Sequence, residues 1–481
     1  MTFWTDARAH TAAIPRNHVI AWGVAALAMA LLSFDLRLMN DGDTFWHIRA
    51  GEWMLDHRAV PHADMFTATR AGQPWFTYEW LSEVVMALAY RGAGFGGVML
   101  LSTMAIGAAM TPLMLFLLRR LSIPTALITA AVALACAAPN LLARPHVLAL
   151  PVMLIWTGAL LDARSAGRAP SFALLPLMAL WANLHGGFIF GIAFIAPLAL
   201  EALVDGRPRA QIVQWALFGF ASVGAALLTP AGIGGLLAPL QVLSMKALPL
   251  GGEWIASDFS KPSAFEAALA LVVTIIVTRR VSIPIVRLLV LLGLTHMALQ
   301  HGRYQLMFGL IGAMAIADSL ASAFPRGPAR TINLYWAPAA AVAIALIAGL
   351  RLAAPVRLPE RITNPASAIA AIPDDLRDKP MFNEYAFGGA LIFEGLRPYI
   401  DSRMDVFGDD FLMRYEAATK GDRATVNEIF KTNAIGWTIL AKQAPLVDLL
   451  DHTPGWRRLY ADDVAVIEVN DACLNRHICG L

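Results

Sequence analysis

Up to residue 354 the chain is a succession of long apolar runs separated by short polar breaks, and beyond it short apolar runs alternate with polar stretches. A bilayer-crossing helix needs ~20 mostly apolar residues, and about eleven stretches approach that length. They lie near 18–38, 97–118, 122–139, 145–161, 171–184, 187–204, 211–228, 264–278, 283–299, 303–323 and 332–351. The region 171–204 reads either as one kinked helix or as a hairpin broken at Gly186-Gly187. From Pro355 to Leu481, strand-like runs at 380–385, 399–401, 437–440 and 464–469 alternate with helix-like ones at 364–372, 408–419, 423–433 and 443–451. The pattern predicts a mainly α protein: a polytopic bundle over 1–354 with a large first loop at 39–96, then an α/β domain over 355–481. About 125 residues is an ordinary size for a single domain.

Composition strengthens the membrane reading. Apolar residues make up 58% of the chain and charged ones 15%, against ~25% charged in an average soluble domain, and mean hydropathy is +0.58. The net charge of +2 decides nothing, but the placement of basic residues does. Arg8 and Arg16, Arg119 and Arg120, Arg164 and Arg168, Arg207 and Arg209, Arg279 and Arg280, and Arg326 and Arg330 fall at alternate helix ends. Lys and Arg collect in cytoplasmic loops, so these ends are expected to face inward. Segments 39–96, 139–146, 184–187, 229–263 and 299–303 then face outward together with the C-terminal domain. Arg49, Arg58, Arg70 and Arg91 run against this orientation, but they are spread along a long loop, where the rule weakens. Residues 1–35 could also be read as a signal peptide. They lack a convincing small-residue cleavage site, so an uncleaved first span with a cytoplasmic N-terminus is expected.

Cys136 falls in an apolar run, where a buried thiol is expected, while Cys473 and Cys479 in the outer tail either pair or remain free thiols. There is no CxxC or HExxH to suggest zinc, and the tail has no GxGxxG or P-loop to suggest a nucleotide site. No nucleic-acid partner is expected; the lipid bilayer is.

The candidate chemistry begins in the first loop, at Asn40-Asp41-Gly42-Asp43-Thr44-Phe45-Trp46-His47. Ionisable groups at the mouth of a helical bundle must be solvated, paired or bound to a metal. Asp41 and Asp43 could clamp a divalent cation, or one could take a proton from a hydroxyl while the other orients it. Capping is the competing role for Asp43, but it leaves Asp41 and His47 unexplained. His47 shares a helical face with Asp43 if a helix starts at Thr44. Glu79 and Glu253 each precede a Trp in an outer loop, as second acids or as ordinary solvated carboxylates. Arg144, His146 and Arg303 sit at outward span ends, where they can serve an anion or, for Arg144, snorkel. His185 lies in a polar break that can line a cavity, whereas Asn183 beside it suits helix packing. The loop's tryptophans, Trp46, Trp53, Trp75 and Trp80, suit interface anchoring and could also stack on sugars. Asp401, Arg403 and Asp405 read first as a structural salt-bridge cluster.

Several runs are familiar. Asp41-Gly42-Asp43-Thr44-Phe45-Trp46-His47-Ile48-Arg49-Ala50-Gly51-Glu52-Trp53, Pro61-His62-Ala63-Asp64-Met65-Phe66 and Tyr78-Glu79-Trp80-Leu81 resemble bacterial integral-membrane glycosyltransferases of the C type (GT-C). So do Ala143-Arg144-Pro145-His146, Trp181-Ala182-Asn183-Leu184-His185-Gly186-Gly187 and Gly252-Glu253-Trp254-Ile255. Gly388-Gly389-Ala390-Leu391-Ile392 and Tyr399-Ile400-Asp401-Ser402-Arg403-Met404-Asp405 look like the tail domain of the same group. The resemblance implies a polyprenyl-phosphate sugar as donor and an acceptor on the extracytoplasmic side of a bacterial inner membrane. Transfer would be of a hexose or pentose, with Asp43 or Asp41 as base or metal ligand and His47 and Glu79 beside them. Relatives differ in metal use, so a divalent cation (Mg or Mn) on Asp41 and Asp43 is one of two branches. A departing phosphate needs cationic or hydrogen-bonding partners, and Arg144, His146, His185 and Arg303 are the candidates. A transporter or flippase, or a non-catalytic envelope-assembly protein, are the rival classes. The absence of an internal repeat and of midmembrane charges counts against a transporter.

Overall fold

A computed structural model describes residues 16–325, 336–476, 479 and 480. Arg8, Arg326, Arg330 and the first residues of the last expected span, 332–335, lie outside the described residues. The chain is mainly helical, with 67% helix and a small sheet near the C-terminus. The helices up to residue 353 are α1 (Arg16–Leu32), α2 (Asp43–His57), α3 (Trp80–Leu118), α4 (Ile123–Ala137), α5 (Pro145–Ser165), α6 (Leu175–Leu184), α7 (Phe188–Ala193), α8 (Ile195–Val204), α9 (Arg209–Ala226), α10 (Ile233–Leu243), α11 (Ala264–Arg279), α12 (Ile285–Gln300), α13 (Gln305–Ala323) and α14 (Trp336–Ala353).

Each expected apolar stretch contains helix, but only four helices among the described residues are long and apolar enough to cross a membrane by length and composition. They contain α3, α4, α5 and α13; the others are shorter apolar helices. The region 171–204 is broken at His185–Gly187, with α6 before the break and α7 and α8 after it. The backbone of α3 loses helical geometry at Ala93 and Gly94. We therefore take its apolar half after the break as the crossing segment, and its first half as a flanking helix against α2.

The C-terminal ends of α3, α5, α8 and α13 meet the start of α12 in a web of ion pairs. Arg119 and Arg120 both hold Asp162, Arg120 also holds Asp318, and Arg164 and Arg287 share Glu201. This gathers one set of helix ends on one side of the bundle. The N-terminal ends of α3, α5 and α13 lie at the opposite side, where the cavity opens.

The tail carries a four-stranded sheet of β1 (Met381–Asn383), β2 (Trp437–Ala441), β3 (Trp456–Ala461) and β4 (Ala465–Asn470), in the order β1-β2-β4-β3. β1 and β2 are parallel, and β4 runs antiparallel to both β2 and β3. One strand expectation fails, and one strand was not expected. Residues 399–401 are not a strand, because the Tyr399 and Ile400 N–H groups donate to the Asn383 side-chain oxygen at 2.8 and 3.3 Å instead of to a neighbouring strand. Strand β3 went unpredicted because its Arg457-Arg458-Leu459 stretch is exposed and lacks the apolar alternation that marks a half-buried strand. Cys473 and Cys479 are joined in a disulfide, and Cys136 is buried and free.

The first loop and the tail pack as one body. Phe45 of α2 is 2% exposed and sits in the tail's core with Phe387, Leu391, Trp437 and Ile467. The two chains of residues touch glycine to glycine: a Cβ on Gly389 would lie 2.0 Å from the Gly42 carbonyl oxygen. No other residue fits at that seam without moving backbone.

Candidate active site

All eight side chains singled out for a site, Asp41, Asp43, His47, Glu79, Arg144, His146, His185 and Arg303, line one cavity of about 720 Å3. Arg144, the residue preceding α5, is its centre. Nη1 contacts Asp41 Oδ2 at 3.2 Å and Glu253 Oε2 at 3.0 Å, while Nη2 contacts Asp43 Oδ2 at 2.6 Å. The other Glu253 oxygen takes Arg303 Nη1 at 2.7 Å, and the Arg303 guanidinium lies 4.1 Å above the Trp254 ring. Two arginines and three carboxylates thus form one chain at the bundle's mouth.

Local structure explains the placement of the aspartates. Gly42, not Asp43, occupies the cap position of α2, and the Asp43 side chain caps nothing. The Asp43 N–H instead donates to Asp41 Oδ1 at 2.8 Å. This leaves the Asp43 carboxylate for Arg144 and for the Ser402 hydroxyl, which donates to Asp43 Oδ1. Ser402 is held in turn by the Trp46 indole N–H at 3.1 Å and, through its carbonyl, by the Tyr385 hydroxyl at 3.2 Å.

Burial and charge split these carboxylates apart. Burial raises Asp41 to about 7; Arg144 pulls it back, and Asp43 and Glu253 push it further up. Burial also works to raise Glu253, but Arg144 and Arg303 overcome it and bring Glu253 down to about 2. Arg144 is held well above its ordinary value: desolvation opposes its charge, and the surrounding carboxylates win. At neutral pH Glu253 is ionised, whereas Asp41 is shifted towards its protonated form.

A second cluster lines the same cavity. Glu79, just before α3, has Oε1 3.3 Å from His185 Nε2 and Oε2 3.7 Å from His47 Nε2. Burial raises Glu79 to about 8 against the pull of Arg144 and Arg303. His185 Nδ1 accepts the Gly187 N–H at 2.9 Å, so its proton is on Nε2, towards Glu79. Desolvation, with Arg144 and the other histidines adding to it, lowers both His47 and His185 well below the ordinary imidazole range, so both are neutral.

His146 directs Nε2 to the Asn140 carbonyl at 2.7 Å. Asn183 packs helices, accepting from the Trp80 indole N–H at 2.7 Å and donating to the carbonyls of Ala179 and Leu228. Asp401 and Arg403 form a closed ion cluster with Asp64. Arg403 borders the cavity, and so does Asp405, which is raised by burial, with Arg403 pulling it back. Four participants were missing from the sequence reading: Thr77, Glu83, Ser402 and the cavity-facing role of Asp405. Of these, only Ser402 and Asp405 lay within a run whose resemblance could have pointed to them.

The branch with a divalent cation on Asp41 and Asp43 does not fit the residues present. All four of their carboxylate oxygens already take a protein donor, and the Arg144 guanidinium fills the space between them. Among the described residues no group of three or more His, Cys, Asp or Glu side chains is arranged to hold a metal.

No family model and no curated protein matches the chain. Among solved structures it is similar to an oligosaccharyltransferase from Archaeoglobus fulgidus determined in its apo form, with 10% identity, a TM-score of 0.48, and 88% of this chain and 69% of that chain covered.

Proposed function

We propose that this protein is a membrane glycosyltransferase that moves a hexose or pentose from a polyprenyl-phosphate donor to an acceptor hydroxyl at the extracytoplasmic face of a bacterial inner membrane. The reading keeps the N-terminus in the cytoplasm, the bundle at 1–354, and the domain at 355–481 on the periplasmic side.

One observation carries it: a single cavity joins an apolar wall to a charged one. Leu150, Met153, Phe190, Val242, Leu306 and Met307 line the apolar part and suit a polyprenyl chain, and Arg144 and Arg303 stand where that chain's phosphate would end. In the reaction, the acceptor oxygen attacks the anomeric carbon and the bond from that carbon to the phosphate oxygen breaks. The electron pair leaves with the phosphate, and the growing charge is met by the two guanidinium groups. The acceptor's proton goes to Glu79, a cavity carboxylate whose oxygens face His185 and His47 rather than an arginine. A value near 8 places it close to working pH, where a general base is most effective. Asp41 and Asp43 then serve chiefly to hold Arg144, and no metal step is needed.

The test is the purified full chain in liposomes with undecaprenyl-phosphate-linked hexoses and pentoses, read as release of undecaprenyl phosphate. Turnover that is lost in Arg144→Ala is the expected result. Movement of intact donor across the bilayer without release, or failure to bind undecaprenyl phosphate at all, would overturn the proposal.

A further inference from the structure

Behind Glu79, away from the cavity, lies a buried acid that the reaction above does not use. Glu83, one turn along α3, is fully buried, and its Oε1 lies 2.9 Å from His47 Nδ1 and 2.8 Å from the Thr77 hydroxyl. Its Oε2 has no hydrogen-bond partner, and among the described residues no arginine or lysine pairs with Glu83. A buried carboxylate with one bare oxygen and no cation is costly, whereas the neutral acid in the same place leaves only a carbonyl unsatisfied.

We infer that Glu83 is a positioning residue of this reaction: as a neutral acid it donates to His47 Nδ1, fixing the tautomer in which His47 and His185 both aim an Nε2–H at the Glu79 carboxylate. The inference rests on the glycosyltransferase reading for its catalytic meaning. The two histidines are matched in design. Gly187 N–H sets the tautomer of His185 from behind, and the Glu83 hydroxyl does so for His47. Both rings then turn Nε2 towards opposite oxygens of Glu79, His185 at 3.3 Å and His47 at 3.7 Å, so a polar N–H edge flanks the base on each side. The Thr77 hydroxyl donates to Glu83 Oε1, which leaves the acid proton free to turn to His47.

Glu83 is not needed to set the backbone here. A Cβ on Gly51 of α2 would lie 2.0 Å from the Glu83 carbonyl oxygen, so α2 and α3 are fixed by direct backbone approach. Glu83→Ala should therefore fold while releasing His47.

The experiment compares Glu83→Ala and Glu83→Gln with the wild-type full chain in liposomes, using an undecaprenyl-phosphate-linked hexose. Gln keeps an N–H for His47 and carries no charge. The expected result is kcat lowered about 30-fold in Glu83→Ala with KM within about twofold, and kcat within about threefold of wild type in Glu83→Gln. Equal loss in both variants, or full activity in Glu83→Ala, would overturn the inference. A second measurement needs no turnover. Infrared spectra at pH about 9.5, above the values of Asp41 and Glu79, should show a protonated-carboxyl band in wild type that is reduced in Glu83→Gln. An unchanged band would overturn the neutral-acid assignment even if Glu83→Ala fails to fold. If wild type turns over none of the donors while the band behaves as expected, the glycosyltransferase reading fails and the Glu83–His47 pairing stands.

Discussion

Arg144 and Arg403 are each surrounded by carboxylates, yet they do different things. Arg403 is 1% exposed and grips Asp64 at 2.7 Å and Asp401 at 2.6 Å, both of them fully buried. Its guanidinium lies within 4.5 to 5.8 Å of the Trp75, Phe66 and Trp46 rings. Burial works to raise Asp64, but Arg403 and the Thr67 hydroxyl prevail and leave it below the usual carboxylate range. Arg144 holds more carboxylates but is 18% exposed and opens onto the cavity. One cluster borders the cavity through Arg403 but keeps almost no exposed surface, and it ties the first loop to the tail. The other is partly exposed and lines the cavity. Ion pairing therefore does not distinguish scaffold from site in this protein; access does.

The contrast is broken most severely at the Arg403 cluster. Arg403→Ala leaves Asp64 and Asp401 buried without a cation, and a broken buried pair costs about 3–5 kcal/mol. Folded, monodisperse protein should be largely lost on size-exclusion chromatography. Arg144→Ala should instead yield normal amounts of folded protein, because water in the cavity can solvate the carboxylates left behind. Its kcat/KM should fall by about 10²–10³, the scale of a lost oxyanion partner. If the two variants behave alike, access is not what separates the clusters.

Glu79→Gln should lower kcat by about 10². In wild type the base works only when ionised, so the rate should climb as pH rises through about 8; in Glu79→Gln that limb should vanish. Ser402→Ala removes one of two donors to Asp43 and should cost about 1 kcal/mol, about a fivefold loss of kcat/KM with little change in melting temperature. The smallest effect is expected from EDTA, which should change turnover by less than about twofold, because arginine already occupies the place a cation would take.

Much of the site could be read from the chain because its residues sit at the ends of apolar runs, where an ionisable side chain stands out against its neighbours. Asp41, Glu79, Arg144, His185 and Arg303 were all visible in this way, and all reach one cavity. Ser402 was not, since its partner Asp43 is hundreds of residues away and no local pattern encodes that pairing. Glu83 was hidden for another reason: on an apolar helix near a loop it looks like any solvated carboxylate, and only its full burial reveals it. The same limit shaped the secondary structure. The apolar run Tyr399-Ile400 resembles a strand locally, but the buried amide of Asn383 takes its backbone donors. Asp43 resembles a helix cap until Gly42 is seen in that place.

The seam between Gly42 and Gly389 also bears on the order in which the protein is made. A chain is synthesised from its N-terminus, so the first loop, Arg144 and Glu253 all exist while the ribosome is still far from Gly389 and Ser402. Until those late residues fold against α2, one wall of the cavity is missing, and Asp43 lacks its hydroxyl partner. A nascent chain already in contact with lipid therefore holds an unassembled cavity until Gly389 and Ser402 have been made and have folded against α2.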